Sequence, residues 1–201
     1  MLKIQTLRIA RMLVLAFVAC FALSGCITAK MYVDSALPTV AKNDITPASQ
    51  PKPVQILFEF RTKGAANANA TAQIRPRIVS VASESGLFSV TSATPTDGGV
   101  LTVTIDNVPL TDDAAAKGFG TGLTLGLVGS IVTDGYVCTA TYTRDGKTTE
   151  ASVKHAIYTT IGNHDGPKGL APMEPQAAIN LAVDQIAWNL LKQLADKHAF
   201  D

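Results

Sequence analysis

"YVCTATYTRDGKTTEASVKHAIYTT", residues 136–160, holds two runs of alternating side chains around Arg144-Asp145-Gly146-Lys147. In residues 136–143, Tyr136, Cys138, Ala140 and Tyr142 fall on one side and Val137, Thr139, Thr141 and Thr143 on the other, and residues 149–160 alternate in the same way. Successive side chains of a strand point to opposite faces, so each run reads as a half-buried strand. Asp-Gly at the centre suits a tight turn whose two middle residues both need positive φ. The stretch predicts a long antiparallel hairpin, and with it a sheet that has one covered face.

Working outward, residues 54–61 set Val54, Ile56, Phe58 and Phe60 against Gln55, Leu57, Glu59 and Arg61, a further half-buried strand. Residues 87–93 and 100–108 read as two more, with Asp97-Gly98-Gly99 as turn chemistry between them. After Gly64-Ala65-Ala66-Asn67, the spacing of Ile74, Ile78, Val81 and Ala82 predicts a helix that Gly86 ends in the left-handed position. Pro76 either opens that helix or kinks it. Near the C-terminus, Ile179, Val183, Ile186, Leu190 and Leu194 share one face of a long amphipathic helix, and Pro175 suits its first turn. The expected fold class is α+β, a mostly antiparallel sheet with two helices packed on one face, plus a glycine-rich apolar segment. Residues 54–201 are the length of one domain, able to bury roughly two-thirds of their unfolded surface.

The glycine-rich segment, "GFGTGLTLGLVGSIVTDGY" at 118–136, has neither the spacing of a dinucleotide fingerprint nor the Gly-Lys-Ser/Thr of a phosphate loop. As a helix, residues 119–132 would reach about 20 Å, short of a hydrocarbon core of about 30 Å. Burial in the domain, a ligand loop, and contact with a membrane or a second copy all remain open for 118–135. The contact alternative would use Phe119, Gly122, Leu123, Gly126 and Leu127, the two glycines permitting close helix approach.

At the other end of the chain, "FALSGCIT" at 21–28 closes an apolar run that begins after Lys3, Arg8 and Arg11 and carries no acidic residue. That is a signal-peptide profile. Leu23-Ser24-Gly25-Cys26 resembles the lipobox of bacterial lipoproteins. The resemblance implies removal of residues 1–25, a diacylglyceryl group on the Cys26 sulfur and a further acyl chain on its amine. A thiolate is the nucleophile such a transfer needs, and two or more chains hold a membrane stably where one does so marginally. Residues 26–53, with Pro38, Pro47, Pro51 and Pro53 and few large apolar side chains, read as a lipidated flexible tether of about 30 Å, or about 80 Å fully stretched.

Of the three cysteines, Cys20 falls in the removed segment and Cys26 becomes lipid-linked, so Cys138 is left as a buried small hydrophobe with no disulfide partner in the chain. Seventeen Lys and Arg oppose sixteen Asp and Glu; without the three basic residues before Cys26, fourteen oppose sixteen. No basic cluster marks a nucleic-acid footprint. His155, His164 and His198 lack the companions a zinc site needs, no Gly-x-Ser-x-Gly elbow is present, and Asp112-Asp113 are adjacent and point apart. No catalytic or metal site and no cofactor is expected.

The element order also resembles the layout of small outer-membrane lipoproteins that assist larger machines, such as the lipopolysaccharide-assembly lipoprotein that plugs its translocon and the auxiliary lipoproteins of lipid transporters. That resemblance lies in layout and carries over no binding residue. In such families the residue after the lipidated cysteine helps set the destination, and Ile27 implies the outer membrane. The expected role is a non-enzymatic binding or accessory component of envelope assembly or transport, anchored on the periplasmic face through Cys26, with an envelope protein or lipid as partner. The alternative is a self-assembling or membrane-inserting lipoprotein, a homo-oligomer using the glycine-rich segment.

Overall fold

A computed structural model describes residues 29–109, 131–162 and 164–201. In chain order its elements are β1 (Ala29–Val33), β2 (Lys52–Thr62), β3 (Ala65–Ala66), α1 (Ala68–Glu84), β4 (Phe88–Ser92), β5 (Val100–Pro109), β6 (Ile131–Arg144), β7 (Lys147–Ile161) and α2 (Pro175–Asp196). A 3-10 turn at Lys42–Asp44 interrupts the link from β1 to β2.

The hairpin is the spine. β6 and β7 pair without a break from Ile131 opposite Thr160 to Arg144 opposite Lys147. Asp145 and Gly146 take φ of 51° and 75°, the left-handed pair that the Asp-Gly sequence foretells. The sheet order is β1-β7-β6-β5-β2-β3, with β4 also on β2. Most neighbours are antiparallel; β2 runs parallel to β5 and β4. The alternation decides which face is covered. Val54, Ile56, Phe58, Leu101, Val103, Ile105, Cys138, Ala140, Ala151 and Val153 form one core with Ile78 and Val81 of α1 and Ile186, Leu190 and Leu194 of α2. The sheet is mixed and mainly antiparallel with two helices on one face, an α+β fold.

Asn67 caps α1, its side chain accepting from the Ala70 N–H at 3.1 Å. Pro76 lies inside α1 and does not open it. Gly86, at φ 77°, follows the Ser85 C-cap and turns the chain into β4.

Asp97-Gly98-Gly99 lies between β4 and β5 without pairing them; the two strands lie on opposite edges of β2, each parallel to it. The connection therefore crosses the end of β2 and packs against it. A Cβ on Gly98 would stand 2.0 Å from the Pro53 carbonyl oxygen, and the Gly98 carbonyl accepts from the Tyr142 hydroxyl at 3.2 Å. Gly98→Ala is expected to cost about 2 kcal/mol by forcing backbone apart, a fall in Tm of roughly 4–8 °C in a thermal melt.

One expectation, the tether over 26–53, needs correction. From Ala29 onward the chain belongs to the domain. β1 pairs with β7, Tyr32, Val33 and Asp34 are buried, and Ile45 sits in the main core with Leu37 and Val40 against it. The Asn189 side chain donates to the Pro38 carbonyl at 2.8 Å, fixing this strap across α2. Asp34 accepts from the Tyr158 hydroxyl at 2.9 Å and from the Ala36 N–H at 2.6 Å. The apolar residues here follow no period, because they are spent on a short edge strand and a strap rather than on one regular element.

Candidate functional site

α1 and α2 lie side by side on the sheet, and their two halves pack differently. In the C-terminal halves Ile78, Ala82, Ala187, Leu190 and Leu191 mesh with Leu101, Val103 and Ala140 and leave only about 10 Å³. Their N-terminal halves enclose a cleft of about 510 Å³ above Phe60, Ile105, Tyr136 and Ile157. Its walls are Ile74 from α1 and Ile179, Val183 and Ile186 from α2, while Ala70 and Ala182 offer only methyl groups where larger side chains would fill the space. Gln73, Arg77, Gln176 and Asn180 supply its polar groups. Apolar walls with a few polar groups, at a volume within the usual range of about 300–1,000 Å³, are the features of a small-molecule site.

Arg77 ties the two helices together beside the cleft. Its Nε donates to Asp184 Oδ1 at 2.5 Å and to the Asn180 carbonyl at 3.2 Å, and its Nη2 pairs with Asp184 Oδ2. The hydrogen bond to Asp184 raises the guanidinium pKa further above its ordinary value, against a smaller opposing effect of burial. Both side chains are part-exposed, so water screens the pair. Asp184→Asn is expected to cost about 0.5–1 kcal/mol, and so to lower Tm by roughly 1–4 °C.

At the cleft floor Tyr136 meets Phe60 edge to face, ring centroids 6.4 Å apart. Burial, helped by the charge of Asp134 and opposed by a hydrogen bond with Asn107, pushes its phenol up to about 12. The hydroxyl stays neutral and is available for hydrogen bonding. Opposite Tyr136 on β7 lies His155, buried, its Nε2–H donating to Gln185 Oε1 at 2.8 Å. Its Nδ1 has no hydrogen-bond partner among the described residues.

Burial lowers the His155 pKa, outweighing the Gln185 hydrogen bond and the charge of Asp34. Unfolded, the imidazole takes a proton near pH 6.5; folded, it resists doing so until lower pH. The unfolded chain then binds more protons, so the stability present above about pH 6.5 is lost as pH falls through the folded pKa. Tm should drop more steeply between pH 7 and 5 in the native chain than in His155→Gln, which carries no titrating ring. Equal slopes would remove His155 from the acid response.

Cys138 is fully buried on the covered face, its thiol pushed far above the ordinary value chiefly by burial. The site residues expected from sequence, Cys26, Phe119, Gly122, Leu123, Gly126 and Leu127, lie outside the described residues, as do Asp112 and Asp113. His164 is exposed in the loop before α2, and His198 meets Asp201 at 2.9 Å. Among the described residues no group of His, Cys, Asp and Glu could hold a metal, and no helix is long and apolar enough to cross a membrane. Sequence reasoning placed Ile74, Ile179, Val183 and Ile186 on inward faces but did not find the cleft. Small inward residues give no signal for it, since Ala82 and Ala187 stand on the same faces where the helices pack tightly.

No protein-family model matches the chain, and no curated protein matches it. Among solved structures it is similar to a dodecamer of a PelC variant from Paraburkholderia phytofirmans, at 13% identity over 84% of this chain and 96% of that one, with a TM-score of 0.33. A neuraminyllactose-binding hemagglutinin homolog from Helicobacter pylori shares 11% identity over 82% of this chain and 91% of its own, at 0.38. A protein of the DUF330 family from Xanthomonas campestris shares 13% over 81% and 90%, at 0.33. These overlaps are long but loose in geometry.

Proposed function

We propose that the chain is a lipid-anchored, non-enzymatic binding component of a bacterial envelope, held at the periplasmic face of the outer membrane through Cys26, whose α1/α2 cleft receives one apolar chain of a lipid. The observation that supports this most is the contrast along a single helix pair, tight at one end and open to about 510 Å³ at the other. Isoleucine and valine walls suit methylenes, at about 0.8 kcal/mol for each one removed from water. The amides of Gln73, Gln176 and Asn180 and the Arg77 guanidinium offer donors to an ester, hydroxyl or phosphate at the chain's head.

The test is native mass spectrometry of the purified protein after exposure to phospholipid vesicles, beside Ile179→Trp, which places an indole in the cleft. Uptake of one lipid by the native chain and its loss in the variant would support the reading. Equal uptake by both, or none by either, would overturn it.

One observation favours a second reading, membrane contact or self-association through 118–135. Val108 lies opposite Gly135, Pro109 opposite Asp134 and Ile131 opposite Thr160, so the sequence 110–130 leaves and rejoins the sheet at the end where Ala29 pairs with Ile161. Gly122→Leu with Gly126→Leu is expected to change oligomer size or vesicle binding if that reading holds; no change in either would count against it.

A further inference from the structure

β6, β7 and β1 extend past the rest of the sheet at one end. Ala29 pairs with Ile161 and Lys30 with Thr160, whereas β5 stops at Pro109 opposite Asp134 and β2 at Thr62 opposite Asn107. The result is a three-stranded blade whose tip carries Ala29, Lys30 and Ile161, the last 50% exposed although it is a large apolar side chain. The loop after β7 folds back along the blade. Its Gly166 packs on the ring of Tyr32, Leu170 joins the cluster of Tyr32, Ala156 and Tyr158, and Lys168 between them is exposed.

Only three peptide steps separate Cys26 from Ala29, a reach of at most about 11 Å even fully extended. With β1 fixed in the sheet, no tether of about 30 Å remains to let the domain tumble clear of its anchor. We infer that the blade tip, with Ile161 and Lys30, is a docking surface for the phospholipid bilayer, so that the domain stands end-on with the β6–β7 turn farthest from the membrane. This rests on the lipidation of Cys26 proposed above. Ile161 offers the acyl region a large apolar side chain that is half exposed in the free domain, and the exposed Lys30 faces lipid phosphates. The far turn at Asp145 and Gly146 lies thirteen residues of β6 away, about 43 Å.

The cleft is near the same end. Ile157, which lines it, is four residues along β7 from Ile161, about 13 Å. Met173, just before α2, bridges to Met31 in β1. The N-terminal turns that wall the cleft therefore start close to the docked surface, and a lipid chain has a short path from leaflet to cleft.

The test uses the full chain purified from membranes and returned to phosphatidylethanolamine/phosphatidylglycerol vesicles containing nitroxide-labelled lipid. An environment-sensitive fluorophore is attached at Ile161→Cys, at Lys30→Cys as a second near-end position, and at Lys147→Cys by the far turn. Cys138 is fully buried and stays unlabelled. Vesicle flotation is scored first. The expected result is flotation of all three, with quenching at 161 and 30 at least fivefold that at 147. Flotation with equal quenching at the two ends, or with none at either, overturns the end-on surface and leaves the anchor standing. Failure to float overturns the anchor and this surface with it.

Discussion

Cys26→Ser is expected to leave the precursor unprocessed or to shift the product from the membrane pellet to the soluble fraction. Serine keeps the size of the side chain but not the thiolate, and a hydroxyl of ordinary pKa is a poor nucleophile for acyl-glyceryl transfer near neutral pH. Without that group no lipid is attached. The difference is large because each methylene of an acyl chain contributes about 0.8 kcal/mol, so two or three chains give an effectively permanent anchor and none gives nothing comparable. Among the described residues no helix is long and apolar enough to span a bilayer. Fractionation and immunoblotting read the outcome; a Cys26→Ser product that is still cleaved and still pellets would refute the anchor.

Leu190→Ala is expected to lower stability by about 2–5 kcal/mol, the range for removing a fully buried leucine from a core that cannot collapse around the gap. Leu190 is 1% exposed and lies where both helices and the sheet leave only about 10 Å³ between them. Tm should fall by roughly 4–20 °C. Leu181, on the same helix but exposed, is the control; its replacement by alanine should change stability by no more than about 0.5 kcal/mol. Comparable losses at both positions would mean that α2 does not pack as described.

The legible parts of this fold are those with a local cause. The 136–160 hairpin announces itself through strict alternation and an Asp-Gly turn, and α2 through a stripe that a 3.6-residue period puts on one side. Gly86 shows its purpose because a helix end needs a left-handed residue. What sequence did not disclose depends on partners far along the chain. Ala29–Val33 is a strand only because β7 offers an edge more than a hundred residues later, and Pro38 is held by a side chain on α2. A turn sequence joins β4 and β5, and nothing in it discloses that both strands pair with β2. The cleft was hidden for a related reason. Periodicity marks which residues face inward but is silent on whether the facing surfaces meet, and alanines line both the tight end and the open one.

The structural correction to residues 29–53 sharpens the proposed function. A domain on a long tether could meet a partner at any height above the membrane. One whose first strand begins three residues after the proposed anchor would keep its cleft beside the bilayer, where lipid chains are abundant.

Intact-mass analysis of the native product extracted from membranes tests the proposal at its root. The expected mass is that of a chain starting at Cys26 and carrying a diacylglyceryl group with a further acyl chain on the amine. A mass matching an unmodified amino terminus, at Cys26 or elsewhere, would contradict the anchor, the end-on docking and the membrane-fed cleft together.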